Sequence, residues 1–261
     1  MRQLFFLIFV LILASVAVRA QDSNDFKKET FVSSTGFNLP YRILFPENYD
    51  KSKKYPVMVF LHGAGERGNN NESQLVHGSK LFLDPANRKA YPAIVIFPQC
   101  PEEGYWSSVK IDREKLPLEL DFDYSQPITP ALQAAIELVK KVSKDEGVDK
   151  KRVYIAGLSM GGMGTFEAVY RFPKLFAAAV PICGGGDVDA YDKRVAKVPF
   201  RVFHGAKDDV VDPRCSQAMV EKLKTLKVAV QYKEYPEANH NSWDSAFAEP
   251  DFLSWMFTRS R

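Results

Sequence analysis

Five short stretches of the chain are almost continuously apolar: 56–61 (PVMVFL), 93–97 (AIVIF), 153–157 (VYIAG), 177–182 (AAAVPI) and 199–204 (PFRVFH). Strands read this way when helices cover both faces of a parallel sheet, because neither side of such a strand meets water. The run 228–235 (VAVQYKEY) alternates apolar and polar residues, which suits a strand near a sheet edge. Phe31–Val32 and 41–45 read as two earlier antiparallel strands. Between these runs the apolar period lengthens. In 130–144, Ala131, Leu132, Ala135, Ile136, Leu138, Val139 and Val142 recur at helical spacing behind a Thr129 N-cap. Helices are likewise predicted over 163–172, 213–226 and 242–257. Strands alternating with helices predict an α/β fold with a parallel, doubly covered sheet. Two segments are longer than a connection requires: the Gly- and Asn-rich 63–79, and the acidic 100–126, which contains Trp106. Long loops of that kind shape sites at the carboxyl ends of strands.

The first twenty residues do not belong to this pattern. Arg2 precedes an apolar stretch from Leu4 to Val18, shorter than the roughly 20 residues a membrane span needs, and Val18-Arg19-Ala20 leads into Gln21. A basic start, a short apolar stretch and small residues at Val18 and Ala20 predict a cleavable signal peptide over 1–20, cut near Ala20–Gln21. The alternative is an uncleaved anchor. The remainder, 21–261, is predicted to form one catalytic domain, exported or periplasmic, with no stable membrane insertion after the cut. The whole chain carries a formal charge of +3, and the leader holds two arginines. The mature chain is therefore close to neutral, which removes the electrostatic case for nucleic acid or an anionic membrane as partner. Its three cysteines, Cys100, Cys183 and Cys215, lack metal-ligand spacing and read as small buried residues, with one disulfide open to an exported protein.

The chemistry gathers around Gly157-Leu158-Ser159-Met160-Gly161. An apolar strand runs in and a helical pattern runs out, the setting of a nucleophilic serine on a sharp strand-to-helix turn. Glycines two positions either side let neighbouring backbone pass close to that turn. A serine nucleophile needs a base, and the chain has four histidines. His62 and His204 each end an apolar strand before a glycine and read as structural or site-lining; His77 lies in a polar loop. His240 falls after the last strand and before the last helix, in the order serine, acid, histidine. The supporting acid is expected in the turn after 199–204. Asp208 is the first choice there, Asp209 the fallback, and Asp212 the cap of the helix that begins at Pro213. The Met160 amide supplies one oxyanion donor, and the loop 61–68 (LHGAGERG) supplies the other through Ala64. Glu66 and Arg67 are expected to pair and hold that loop open. Trp106 and Trp243 are candidate substrate-binding walls, with core packing the competing role for each. No metal cluster, phosphate loop or cofactor motif stands out, so water is the only co-reactant expected.

The segments LHGAGERG (61–68), PQCPEEGYW (98–106), GLSMGGMGTF (157–166), AAAVPICGGGD (178–187), HGAKDDVV (204–211) and EANHNSWD (237–244) together resemble a bacterial esterase branch of the α/β-hydrolases. That branch is described as prolyl-oligopeptidase-like, phospholipase/carboxylesterase or feruloyl-esterase-like, and the likeness runs from about Phe31 to Phe257. It implies a mostly parallel sheet of about eight strands and a Ser-His-Asp acyl-enzyme mechanism. It also implies Asp208 as the acid of an HGxxD pattern, and Ala64 as an oxyanion donor. The one departure noted is Asp212, where relatives often carry proline. Carboxylic esters of carbohydrate, acetyl or feruloyl, are the substrates the resemblance favours. The rivals are a peptidase of prolyl-oligopeptidase type, a (lyso)phospholipase, and a catalytically silent carbohydrate-binding fold; the sequence leaves the oligomeric state open.

Overall fold

In the computed structural model, which describes residues 23–145 and 147–261, the apolar runs become the interior of an eight-stranded sheet. Its strands are β1 (Lys27–Val32), β2 (Asn38–Leu44), β3 (Tyr55–Leu61), β4 (Ile94–Pro98), β7 (Val148–Leu158), β8 (Ala178–Ile182), β9 (Phe200–Gly205) and β10 (Val230–Tyr235). They lie in the order β1-β2-β4-β3-β7-β8-β9-β10. β1 pairs antiparallel with β2 and β2 antiparallel with β4, and every other pairing in the sheet is parallel. The leader predicted over 1–20, with its cut near Ala20–Gln21, lies outside the described residues.

Alternation along the central strands explains why they read as continuous apolar runs. In β3, Val57, Val59 and Leu61 face one core, while Met58 and Phe60 face the other. The first core is closed by α3 (Pro130–Val142), α4 (Met160–Arg171) and α5 (Pro213–Thr225), through residues such as Leu132, Ile136, Phe166, Val169 and Leu223. The second is closed by α1 (Ser79–Leu83), α6 (Trp243–Phe247) and α7 (Phe252–Phe257), with α2 (Pro85–Ala90) following α1. Two helix starts are as the sequence predicts. Thr129 accepts from the Leu132 amide ahead of Pro130, and Asp212 accepts from the Arg214 amide ahead of Pro213. Among the described residues, no helix is long and apolar enough to cross a membrane.

Three expectations change. The helix expected over 242–257 is two short helices, α6 and α7, because Pro250 has no N–H to continue the ladder and α7 restarts behind Asp251. The segment 100–126 is not wholly loop: β5 (Val109–Asp112) and β6 (Glu119–Phe122) form an antiparallel hairpin. The Leu118 amide ties that hairpin to the Val210 carbonyl at 2.8 Å. All three cysteines are free thiols, Cys100 and Cys183 buried and Cys215 half-buried.

Since β3, β7, β8, β9 and β10 run in parallel, their carboxyl ends share one edge of the sheet. The loops after β3, β9 and β10 carry Ala64, Asp208 and His240, and Ser159 is the single residue between β7 and α4.

Candidate active site

Ser159 holds a backbone conformation that side-chain-bearing residues rarely adopt, φ 53° and ψ −118°. The chain turns there from β7 into α4 without an intervening loop, and the neighbouring glycines are what make room. A Cβ on Gly161 would overlap the Leu61 carbonyl oxygen, and one on Gly157 would overlap the carbonyl of Gly161. The turn is held by the Ser159 amide donating to the Ile182 carbonyl at 2.9 Å and the Met163 amide donating to the Ser159 carbonyl at 3.0 Å. As the first residue of α4, Met160 has an amide with no acceptor inside the helix. Ala64 opens a short 3-10 turn on the other side of the serine, and Gly63 before it approaches so closely that a Cβ there would lie 3.7 Å from the Ser159 Cβ.

The serine, histidine and acid meet. His240 Nε2 lies 2.9 Å from Ser159 Oγ, and His240 Nδ1 lies 2.8 Å from Asp208 Oδ2. The other Asp208 oxygen accepts from the amides of Val210 and Val211, both at 2.9 Å. Burial alone would push the Asp208 carboxyl up. Hydrogen bonds from His204 and His240, the charge of His240 and the Val211 amide outweigh burial and hold it well below the usual carboxylate range. The carboxylate therefore stays charged, and His240 Nδ1 carries the proton that faces it. Nε2 is left as the acceptor toward Ser159. Asp209, the fallback acid, is exposed, and its amide donates to Asn239 Oδ1 at 3.2 Å.

His62 and His204, both fully buried, hold the frame from below. His62 Nε2 accepts from the Cys100 amide at 3.0 Å and its Nδ1 lies 2.6 Å from the Gly63 carbonyl, so the neutral ring pins the oxyanion loop. Burial holds the His62 imidazole down at about 4, which keeps it neutral. His204 Nε2 lies 3.1 Å from Asp208 Oδ2 and 2.9 Å from the Val211 carbonyl, with Nδ1 2.7 Å from Ser216 Oγ. Asp208 is thus gripped by two imidazoles. The sequence offers one signal for the second grip: His204 closes the apolar run 199–204, four residues ahead of Asp208.

Around Ser159 and His240 opens a cleft of about 300 Å³, walled by residues including Ala64, Tyr105, Leu118, Met163, Val210 and Trp243. Trp243 lines it, half-buried, with its ring edge-to-face to His240 at 5.4 Å between centroids. Trp106 is corrected. It is completely buried, its Nε1 donates to the His62 carbonyl at 3.2 Å, and its Cβ and carbonyl oxygen pack against Gly164. The neighbouring Tyr105 takes the place in the wall, and burial pushes its hydroxyl up to about 12, so near neutrality it is an O–H donor. Ser107 and Ser108 fix this loop to the buried Glu167 carboxylate, which Arg171 also holds at 2.7 Å. The expected Glu66–Arg67 pair does not form. Arg67 instead donates to the carbonyls of Ala64, Glu102 and Gly104, bracing the oxyanion loop against the 100–106 segment, while Glu66 faces His77 at 3.7 Å.

Cys183, Asp208 and His240 offer a sulfur, an oxygen and a nitrogen within 4.8 Å of one another, a grouping that could hold a metal ion. Burial pushes the Cys183 thiol far up, so the group has no thiolate to offer, and Asp208 and His240 already face each other.

A hydroxyl, an imidazole and a carboxylate in one hydrogen-bonded series can move a proton off the hydroxyl as it attacks an acyl carbon. Set at the carboxyl edge of a mostly parallel, helix-covered sheet, they define a serine hydrolase of the α/β-hydrolase fold. Residues 48–250 match the family described as phospholipase/carboxylesterase. The chain belongs to that family and is a serine esterase. It is similar to the crystal structure of a thermostable esterase, 37% identical with a TM-score of 0.82; the match covers 91% of this chain and 64% of that one. Lysophospholipase-like protein 1 of Mus musculus is 26% identical over 209 residues, 77% of this chain and 86% of its own length. A stretch of 84 residues, 32% of this chain, is 36% identical to 12% of the bifunctional acetylxylan esterase/xylanase XynS20E of Neocallimastix patriciarum.

Proposed function

We propose that the protein is an exported carbohydrate esterase that releases acetyl or feruloyl groups through a Ser159 acyl-enzyme. The observation that supports this mechanism is the unbroken series Ser159 Oγ, His240 Nε2, His240 Nδ1, Asp208 Oδ2, with links of 2.9 and 2.8 Å. In the first step Ser159 Oγ bonds to the acyl carbon while its proton passes to His240 Nε2. The oxyanion that forms lies between the amides of Ala64 and Met160, each such donor lowering the barrier by about 3 kcal/mol. His240 then hands the proton to the alcohol oxygen as the C–O bond breaks. Water enters, loses a proton to His240 and attacks the acyl carbon; the carboxylic acid leaves and Ser159 Oγ regains its proton.

A fluorophosphonate probe is expected to label the folded protein at Ser159, read by mass spectrometry of the tryptic peptide. A folded protein that gives no adduct would favour the silent, carbohydrate-binding alternative. The substrate class rests on the resemblance and on the short likeness to an acetylxylan esterase. A panel of acetylated xylan, methyl ferulate, a lysophospholipid and proline anilides tests it. Turnover confined to the lysophospholipid would move the reading to the phospholipase branch, and turnover confined to anilides would move it to a peptidase.

Export is part of the same reading. Protein recovered from outside the cytoplasm is expected to begin at Gln21 by N-terminal mass spectrometry, and a mature chain retaining residues 1–20 would overturn that part.

A further inference from the structure

Of the charged residues in the acidic segment 100–126, Arg113 alone lines the cleft around Ser159 and His240. It follows directly on β5, at the tip of the β5–β6 hairpin, and Leu118 lines the cleft from the other arm of that tip. The tip is tied to the acid loop by the Leu118 amide, which donates to the Val210 carbonyl at 2.8 Å. Arg113 stands between two acids, Asp112 and Glu114, yet pairs with neither. Asp112 is occupied: its Oδ1 accepts from the Glu114 amide at 2.9 Å, and its Oδ2 lies 3.6 Å from Lys115 Nζ. The same Lys115 holds Glu119 at 2.6 Å. Among the described residues, no carboxylate forms a salt bridge with the Arg113 guanidinium, which is exposed.

The Tyr105 hydroxyl is a second donor in the same wall. Arg113 is the cation that acts on it most strongly, and it faces the Met163 sulfur at 3.7 Å, a weak acceptor. The other titratable side chains of the wall are turned to different tasks. Glu66 Oε2 is buried and its Oε1 faces His77, while His240 is engaged with Ser159 and Asp208. The side chains left to meet the polar groups of a substrate are therefore a guanidinium and a phenolic O–H, both donors. A guanidinium presents a planar fork of N–H groups that fits a carboxylate. The cleft, at about 300 Å³, is at the small end for a ligand pocket, so whatever Arg113 holds lies close to the ester at Ser159.

We infer that Arg113, with the Tyr105 hydroxyl as second donor, is a specificity-determining residue that binds a carboxylate carried by the substrate near its ester group. Anionic esters are then hydrolysed in preference to neutral ones of the same shape. The carboxylate belongs either to the acid portion, as in the half-ester of a dicarboxylic acid, or to the alcohol portion, as in an ester on a uronic acid. Both present the same group to the guanidinium, and no bond to Arg113 or Tyr105 is made or broken. The inference rests on the reading of Ser159 as nucleophile and adds the charge of the substrate it takes.

Two matched pairs of esters test it. Monomethyl adipate and its neutral monoamide differ in charge on the acid portion; p-acetoxybenzoate and p-acetoxybenzamide differ in charge on the alcohol portion. The ratio of kcat/KM, charged over neutral, is measured for the full-length enzyme and for Arg113→Met, Arg113→Lys and Tyr105→Phe. In Arg113→Met the ratio for at least one pair is expected to fall about tenfold, mainly through KM, since a charge-assisted hydrogen bond is lost. Arg113→Lys keeps the charge without the fork and should keep part of the ratio, and Tyr105→Phe should lower it less than Arg113→Met does. Because Arg113 is exposed, the wild-type ratio should also shrink as salt rises from about 0.01 M to about 1 M, while that of Arg113→Met stays level. The pair that responds identifies the portion that carries the carboxylate. Ratios for both pairs that are the same in wild type and in folded Arg113→Met overturn the inference and leave the Ser159 reading standing. A folded wild type inert to all four esters and to the fluorophosphonate probe overturns both.

Discussion

Ser159→Ala is expected to lower kcat about a million-fold while leaving the melting temperature within a few degrees of wild type. The loss is large because the remaining groups cannot substitute for the missing oxygen. His240 would still hold a basic nitrogen at the site, and the Ala64 and Met160 amides would still face an oxyanion, but no atom of the protein would be placed to bond the acyl carbon. What remains is the roughly 10³- to 10⁴-fold advantage over water that binding and oxyanion donors alone sustain. The structural cost is small for a different reason. The strain at residue 159 lies in its backbone, at φ 53°, and alanine has the same Cβ and meets the same strain. The amide bonds to Ile182 and from Met163 survive, and the hydrogen bond given up to His240 is worth about 1 kcal/mol. For a chain of this size that moves the melting temperature by about 2–4 °C. Burst and steady-state assays with a short p-nitrophenyl ester, alongside thermal melts, read both quantities. A folded variant keeping more than about 1% of wild-type kcat would remove Ser159 from the nucleophile role.

That a candidate site is legible in the sequence at all follows from what such chemistry demands. A serine on a strand-to-helix turn needs glycine at positions 157 and 161 because backbone carbonyls occupy the space a side chain would take. The order of elements then confines the acid to the end of β9 and the base to the end of β10. The central strands were legible for a related reason: buried on both faces, they are almost entirely apolar. β1 was harder to see, since residues 27–30 (KKET) are all exposed and what orders them as a strand is backbone pairing to β2. The β5–β6 hairpin hid behind the same effect, with VKID and ELDF half-exposed and acidic. Side-chain direction lay beyond the sequence altogether. Trp106 and Tyr105 are adjacent, and which one faces the cleft is decided by the His62 carbonyl waiting behind Trp106. Glu66 and Arg67 are adjacent and opposite in charge, yet three carbonyls take the arginine away from its neighbour.

Asp208→Asn carries the second-largest expected effect, a fall in kcat of about 10⁴-fold at neutral pH with the nucleophile still in place. The amide cannot choose its orientation freely. Val210 and Val211 both donate to Oδ1, so the asparagine oxygen must stay there and its NH₂ must turn toward His240. A donor facing Nδ1 forces that nitrogen to become the acceptor, which moves the ring proton to Nε2, the atom that has to take the proton of Ser159. The same substitution has a signed effect on stability. The folded Asp208 carboxyl is depressed below its unfolded value of about 3.9, so its contribution is fully present above that value and is lost as pH falls through it toward the folded one. The variant lacks that titration, and its melting temperature should therefore decline less steeply than wild type below about pH 4. Melts across acidic pH and kcat against pH measure the two effects separately. A kcat within about tenfold of wild type, together with an unchanged acid slope, would mean that His240 draws its support from elsewhere. Asp209 would be the residue to test next, although its exposed side chain would have to swing inward from solvent.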